Sequence, residues 1–159
     1  MKIVYTSNAG STERYAKMLS EKLECKAQEL SKAKNDGEEV IYLGWVMAGD
    51  IQGLSQAREK FGELKAVVAV GMMPSDESKK EVSEKNKITE PFFYLPGEFN
   101  LKNLKGMYKI MMNMMLKMMK AKVKDSDDPT DQKALELFEM GFDGVKAENL
   151  DPIVEALSE

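Results

Sequence analysis

The chain has 159 residues, of which 43% are hydrophobic and 31% are charged, a composition typical of a globular protein and long enough for one domain. Its formal net charge is −4, and no cluster of lysine and arginine with interleaved aromatic residues is present, which argues against a nucleic-acid-binding surface. The absence of histidine excludes Ser-His-Asp and Cys-His catalysis and most zinc sites, so we assign no catalytic residue and no metal ligand, and we expect any chemistry to be a cofactor's.

Short apolar segments alternate with helical patterns along the chain. Residues 2–6 (KIVYT) predict the first strand, and residues 11–24 predict a helix with an apolar stripe. Further strands are predicted at 25–30, 39–45, 65–71 and 91–97, and further helices at 55–64, 75–86, 107–120, 129–142 and 148–157. Because the strands are continuous apolar runs, we predict a parallel sheet covered by helices on both faces, which is a doubly wound α/β fold.

A loop rich in hydroxyl groups follows the first strand and consists of Ser7, Asn8, Ala9, Gly10, Ser11 and Thr12. Ligands of doubly wound sheets bind beyond the carboxyl ends of the strands, and a helix that begins near Ser11 would direct its amino end there. Residues 5–13 contain no lysine or arginine, so backbone N–H groups and hydroxyls would bind the anion. We predict a phosphate-binding loop; the alternative is an ordinary helix N-cap.

The segment IVYTSNAGSTERYAKML (3–19) resembles the FMN-binding signature of flavodoxins. The segments YLGWVMAGDIQGL (42–54) and VAVGMMPS (68–75) resemble the second and third flavin loops of that family. The late segment 92–119 is similar to flavodoxin-type, menaquinone-dependent protoporphyrinogen oxidases. The resemblance implies a flavodoxin-like, doubly wound sheet of five parallel strands in the order 2-1-3-4-5. It implies a single domain over residues 1–159 with an extra methionine-rich helical segment at about 100–142.

The cofactor implied by this resemblance is FMN, held without a covalent bond. Its phosphate would be bound by the loop Ser7, Asn8, Ala9, Gly10, Ser11 and Thr12. One side of the isoalloxazine would be lined by Gly44, Trp45, Val46, Met47 and Gly49, and the other by Gly71, Met72 and Met73. The third loop carries methionines where many flavodoxins have an aromatic residue beside acidic ones. Trp45 is either a stacking platform for the ring or a packing residue.

Three functions fit this resemblance. An electron carrier would dock redox partner proteins through acidic residues near the flavin, for which Asp50, Asp76 and Glu77 are candidates. An oxidoreductase of the protoporphyrinogen oxidase type would instead be linked to a quinone. The third candidate is an interaction module with a flavodoxin fold that does not bind flavin. Cys25 is the single cysteine and no signal-peptide pattern is present, so we expect a cytoplasmic protein.

The methionine-rich helix predicted at 107–120 has too little polar surface for an ordinary exposed helix. Lys109, Asn113, Lys117 and Lys120 fall within an arc of roughly 80°, and the rest of the circumference is apolar. The helix predicted at 129–142 would cover the exposed side. The alternatives are self-association, a site for a hydrophobic partner such as a quinone, or a peripheral membrane contact with lysines at its rim.

Overall fold

A computed structural model describes residues 1–72 and 74–158. Within this part, the strands are β1 (Lys2–Thr6), β2 (Lys26–Glu29), β3 (Val40–Met47), β4 (Asp50–Ile51), β5 (Ala66–Gly71), β6 (Phe92–Pro96), β7 (Glu98–Phe99) and β8 (Phe142–Asp143). The helices are α1 (Ser11–Leu23), α2 (Leu54–Phe61), α3 (Asp76–Lys85), α4 (Gly106–Lys124), α5 (Pro129–Met140) and α6 (Asp151–Leu157), with 3₁₀ turns at Leu101–Asn103 and Ala147–Leu150.

The chain divides into two compact units, a larger one formed by Met1–Gly97 with Gly144–Glu159 and a smaller one formed by Glu98–Asp143. The smaller unit contains the methionine-rich segment expected at about 100–142, and the single domain over residues 1–159 stays a prediction. The chain leaves the larger unit at Gly97 and returns at Gly144, whose N–H donates to the Gly97 carbonyl at 3.1 Å. No helix in the described residues is long and apolar enough to cross a membrane.

The sheet of the larger unit has the predicted order. Parallel pairing gives β2-β1-β3-β5-β6, which is 2-1-3-4-5 when the parallel strands are counted alone, and β4 adds an antiparallel pair at the end of β3. One face packs against α1 and α6 through Tyr15, Leu19 and Ile153, and the other against α2 and α3 through Leu54 and Val82. The doubly wound α/β fold is therefore confirmed.

Several boundaries differ from the predicted ones for local reasons. The second predicted helix ends at Phe61 instead of residue 64, because Gly62 adopts a φ of 74° that helical residues do not take. β3 continues beyond residue 45 to Met47, because β4 supplies hydrogen-bonding partners for its end. The methionine-rich helix, predicted to end at residue 120, runs to Lys124. The helix predicted at 129–142 ends at Met140, and residues 142 and 143 form β8.

The smaller unit is a helical hairpin closed by a two-stranded ribbon. β7 and β8 pair antiparallel, with Glu98 opposite Asp143 and Phe99 opposite Phe142. The rings of Phe99, Phe138 and Phe142 pack together, with centroids 5.2–6.4 Å apart. α4 and α5 are joined by ion pairs between Lys120 and Glu139 at 3.3 Å and between Lys122 and Asp131 at 3.7 Å. The aromatic cluster therefore fixes the base of the hairpin, and the ion pairs fix its two helices.

The hydroxyl of Tyr42 connects the carboxyl end of β1 to the segment after β4. It donates to the Gln52 carbonyl at 2.5 Å, and the Thr6 hydroxyl lies 2.8 Å away, in position to donate to it. Burial raises the pKa of Tyr42 to about 12, so the hydroxyl stays protonated and keeps its donor role. Gly53 (φ 78°) packs directly against the hydroxyls of Tyr42 and Thr6: a Cβ there would lie 2.2 Å from the Tyr42 hydroxyl oxygen.

Replacing Gly53 by alanine tests this arrangement, with Gly37→Ala as the matched control. Both glycines have positive φ, but a Cβ at Gly37 (φ 83°) meets nothing within 4 Å. Gly37→Ala should lower the free energy of unfolding by about 1 kcal/mol, the cost of the left-handed backbone. Gly53→Ala should cost about 1–3 kcal/mol more because it also crowds Tyr42. Urea denaturation measures both free energies of unfolding. Equal losses of this free energy in the two variants would contradict the packing of Tyr42 against Gly53.

Candidate functional site

The candidate site lies at the carboxyl edge of the parallel sheet. Thr6 at the end of β1 is paired with Gly44 in β3, and Gly44 is paired with Ala69 in β5. The same register places Trp45 beside Val70. The segments that follow β1, β3 and β5 therefore leave the sheet at one edge, which is where doubly wound sheets bind their ligands.

The first of these segments is the hydroxyl-rich loop, which leads directly into α1. Gly10 is the N-cap of α1 and adopts a φ of 102°, and a Cβ there would meet nothing within 4 Å. Gly10 offers no side-chain cap, and the Ser7 hydroxyl accepts from the Glu13 N–H at a long 3.4 Å. The amino end of α1 thus lacks a strong side-chain cap, which weakens the N-cap alternative.

The remaining residues of the loop divide by exposure. Asn8 and Ala9 are exposed, whereas Ser11 and Thr12, the first two residues of α1, are 8% and 1% exposed. A helix amino end beside small hydroxyl side chains suits a phosphate group, because its N–H groups and dipole favour negative charge. The donor set therefore fits the phosphate of FMN, and the role of each residue stays a prediction.

The second segment is a β-hairpin. Gly44 is buried, and a Cβ there would lie 2.7 Å from the Gln52 carbonyl oxygen, so glycine allows the hairpin to fold back over its own strand. Ala48 and Gly49 form the two-residue turn with φ of 51° and 83°, the positive values that a type I′ turn requires. Trp45, Val46 and Met47 are half-buried within β3. By strand alternation, Trp45 lies on the same sheet face as Leu43, the face that α1 covers.

The carboxyl end of α3 holds this hairpin. The Asn86 side chain accepts from the Ile51 N–H at 3.0 Å and donates to the Gly49 carbonyl at 2.8 Å. Lys85 donates to the Ala48 carbonyl at 2.6 Å and forms an ion pair with Asp50 at 3.3 Å. Sequence analysis placed both residues at the end of the helix predicted at 75–86, and no local pattern signals a contact with a turn 37 positions away.

Arg58 in α2 binds the end of α3 that contacts the hairpin. Its guanidinium donates to the Asn86 carbonyl at 2.9 Å and to both carboxylate oxygens of Glu90 at 3.0 and 2.8 Å. Burial raises the pKa of Glu90, but the hydrogen bonds from Arg58 and from the backbone outweigh it and hold that pKa below its usual value. The hairpin is therefore connected to α2 through Asn86.

The third segment begins at Gly71, the last residue of β5. The Gly71 carbonyl accepts from the Gly97 N–H at 2.7 Å, and a Cβ at Gly71 would lie 2.2 Å from the Tyr94 hydroxyl oxygen. Met72 follows Gly71 and is half-buried. Met73, also predicted to line the flavin, lies outside the described residues. Tyr94 brings an aromatic ring to this segment from β6, which sequence analysis missed because it considered only the loop itself.

Two cavities lined by described residues adjoin the predicted site. The larger, of about 530 Å³, is lined by Tyr5, Thr6, Ser7, Glu29, Leu30, Ser31, Gln56 and Lys60. The other, of about 340 Å³, is lined by Val46, Ala48, Gly49, Ser78, Glu81, Val82, Lys85 and Tyr94. Lys60 brings a positive charge to the wall that Ser7 shares. Sequence analysis did not identify Lys60, because it comes from α2 and only the loop was searched for cations.

Comparison with known proteins agrees with this architecture. The family model of the flavodoxin domain matches residues 2–127, which is more than half of the chain. No curated protein and no solved structure matches the chain. The match begins at β1 and includes every parallel strand of the sheet, so this chain belongs to the flavodoxin domain family.

Proposed function

We propose that this protein binds FMN at the carboxyl edge of its sheet and transfers electrons through it. The main support is that the segments after β1, β3 and β5 leave the sheet at that one edge. Membership of the flavodoxin domain family supports it, since that family usually binds FMN. Bound FMN supplies the capacity to accept and return one or two electrons.

The residues of the chain bind and orient the cofactor. The loop from Ser7 to Thr12 holds the phosphate with neutral donors, the hairpin from Gly44 to Gly49 lines one side of the ring, and Gly71, Met72 and Met73 line the other. Trp45 stacks on the ring from the face that α1 covers. The half-buried side chains of the hairpin limit the access of water to the ring, and the contacts of Asn86 and Lys85 keep the hairpin in place.

As an electron carrier, the protein would meet its redox partners through acidic residues near this edge. Asp76 and Glu77 are exposed in the first turn of α3, next to the third segment. Asp50 is also exposed, but its charge is balanced by Lys85. A partner protein with a basic patch fits this arrangement. A cytoplasmic location, expected from the single cysteine, is part of the same proposal.

A second candidate is an oxidoreductase linked to a quinone, of the protoporphyrinogen oxidase type. The exposed side chains of Met107, Met114 and Met118 on α4 favour it, since they offer apolar surface to a lipid-soluble reactant. The similarity of residues 92–119 to those oxidases also supports it. Reduction of a quinone analogue by the FMN-loaded protein separates this candidate from the carrier.

Removal of two hydroxyls from the loop tests the cofactor proposal. Ser7→Ala/Thr12→Ala should weaken FMN binding by about a hundredfold or more, because each of the two hydrogen bonds to a charged group contributes roughly 1.5–3 kcal/mol. The measurement is a titration that follows the visible absorbance and fluorescence of the flavin. Ser20→Ala/Ser55→Ala removes two hydroxyls elsewhere and should leave the affinity unchanged. If the native chain fails to bind FMN at micromolar concentration, the interaction module without flavin replaces this proposal.

The anchor of the hairpin gives a separate prediction. Asn86→Ala removes the partners of the Ile51 N–H and the Gly49 carbonyl, so it should lower stability by about 1–3 kcal/mol, speed hydrogen exchange at Ile51 and weaken FMN binding. Asn35→Ala is the matched control, because the Asn35 side chain also bonds two backbone groups, the Lys60 carbonyl and the Gly37 N–H. Asn35→Ala should lower stability without changing the FMN affinity. An unchanged affinity in Asn86→Ala would refute the positioning role.

A further inference from the structure

One face of α4 is apolar and exposed. Met107, Ile110, Met111, Met114 and Met118 are 78%, 57%, 38%, 61% and 71% exposed. Their spacing places them on one side of the helix over three turns, a length of about 16 Å. We call these five residues the methionine face.

The partner helix α5 leaves this face uncovered because it lies on another side of α4. Lys120 and Lys122, which form the ion pairs with α5, bracket the buried residues Met112 and Leu116 around the helix. At 3.6 residues per turn, that buried side is roughly opposite the methionine face. Residues 129–142 therefore pack against the methionine-rich helix as expected, but they cover only one side of it and leave the methionine face exposed.

The charge around the methionine face has one sign. Between Phe99 and Lys124 the sequence contains no aspartate or glutamate and seven lysines, in a chain whose net charge is −4. All of these lysines are exposed: Lys102, Lys105, Lys109, Lys117, Lys120, Lys122 and Lys124. On the helix, Lys117 lies at one edge of the methionine face, and Lys109 and Lys120 lie farther round, towards the side of Met112 and Leu116. Such a surface is complementary to a partner that is both apolar and negatively charged.

We propose that the methionine face docks on a lipid bilayer that contains anionic headgroups, with α4 parallel to the membrane surface. The methionine and isoleucine side chains enter the boundary between headgroups and acyl chains, and Lys117 at the edge, with the other exposed lysines of the segment, contacts lipid phosphates. Methionine suits this role because its flexible thioether chain adapts to an irregular surface. The proposal is independent of FMN binding.

Charge favours the bilayer over a second copy of this chain. In a symmetric dimer, the same face of each copy would meet its counterpart. Each face would then bring its lysines together without an acidic residue of α4 to neutralise them. The acidic residues of the helical hairpin formed by α4 and α5 lie on α5 and in the linker before it. On α5, Asp131 and Glu139 already pair with Lys122 and Lys120. An anionic bilayer supplies the missing charge.

The test is flotation of the full chain with vesicles of phosphatidylcholine, alone or mixed with phosphatidylglycerol. We expect binding to the mixed vesicles that weakens as salt is added, and about tenfold weaker binding to phosphatidylcholine alone. Lys109→Glu/Lys117→Glu should abolish the binding. Lys79→Glu/Lys80→Glu makes the same change of charge at exposed positions of α3 and should retain most of it.

Replacement of the apolar side chains tests insertion separately from charge. Met114→Ser/Met118→Ser should lose the part of the binding that resists added salt, and circular dichroism should report an unchanged fold, since both side chains are exposed. Equal binding to both kinds of vesicle, or an equal loss in the two lysine pairs, would overturn the proposal. A dimer in sedimentation velocity that Met114→Ser/Met118→Ser dissociates, without vesicle binding, would assign the face to a second copy instead.

Discussion

The parallel register of β1, β3 and β5 is the constraint on which the candidate site depends. Pairing of Thr6 with Gly44 and of Gly44 with Ala69 brings the carboxyl ends of three strands to the same edge of the sheet, so the segments that follow them leave the sheet there. A slip of one residue would turn the side chains of a strand to the opposite face and would separate these segments. The two buried clusters on either side of the sheet prevent such a slip, because each strand contributes alternate side chains to both of them.

The hairpin after β3 is the part of the site that the sheet alone does not fix. Its turn contains Ala48 at a positive φ, a conformation that costs energy for a residue other than glycine. Contacts from outside the sheet hold it, through Asn86 and Lys85 at the end of α3 and through Arg58 behind them. Helices that cover the sheet thus also position the residues proposed to line the flavin.

The sequence predicted those features that depend on local patterns. The apolar runs placed all five parallel strands, and the loop with its small and hydroxyl residues placed the start of α1 at Ser11. The strand order came from the resemblance of residues 3–19 to flavodoxins, and the family match and the sheet confirm it. The contacts of Asn86, Lys60 and Tyr94 were not predictable, because each connects residues far apart in the chain through side chains that no local motif distinguishes.

The smaller unit shows the same limit. The arc of lysines on the methionine-rich helix was visible in the sequence. The side of α4 that meets α5, however, depends on Lys120 and Lys122 and on the aromatic cluster at the base of the helical hairpin. Phe99 and Phe142 lie 43 positions apart, and their pairing in the ribbon has no periodic signal. The exposure of the methionine face therefore emerged only with the three-dimensional arrangement.

The central claim is that three strand ends form one binding site for FMN. The most direct measurement is the change in backbone amide NMR shifts as FMN is added to the ¹⁵N-labelled chain. The account predicts that the largest changes occur together, in the loop from Ser7 to Thr12, in the hairpin from Gly44 to Gly49 and around Met72. Changes confined to the cavity lined by Glu29, Ser31 and Gln56, or to α4, would contradict it.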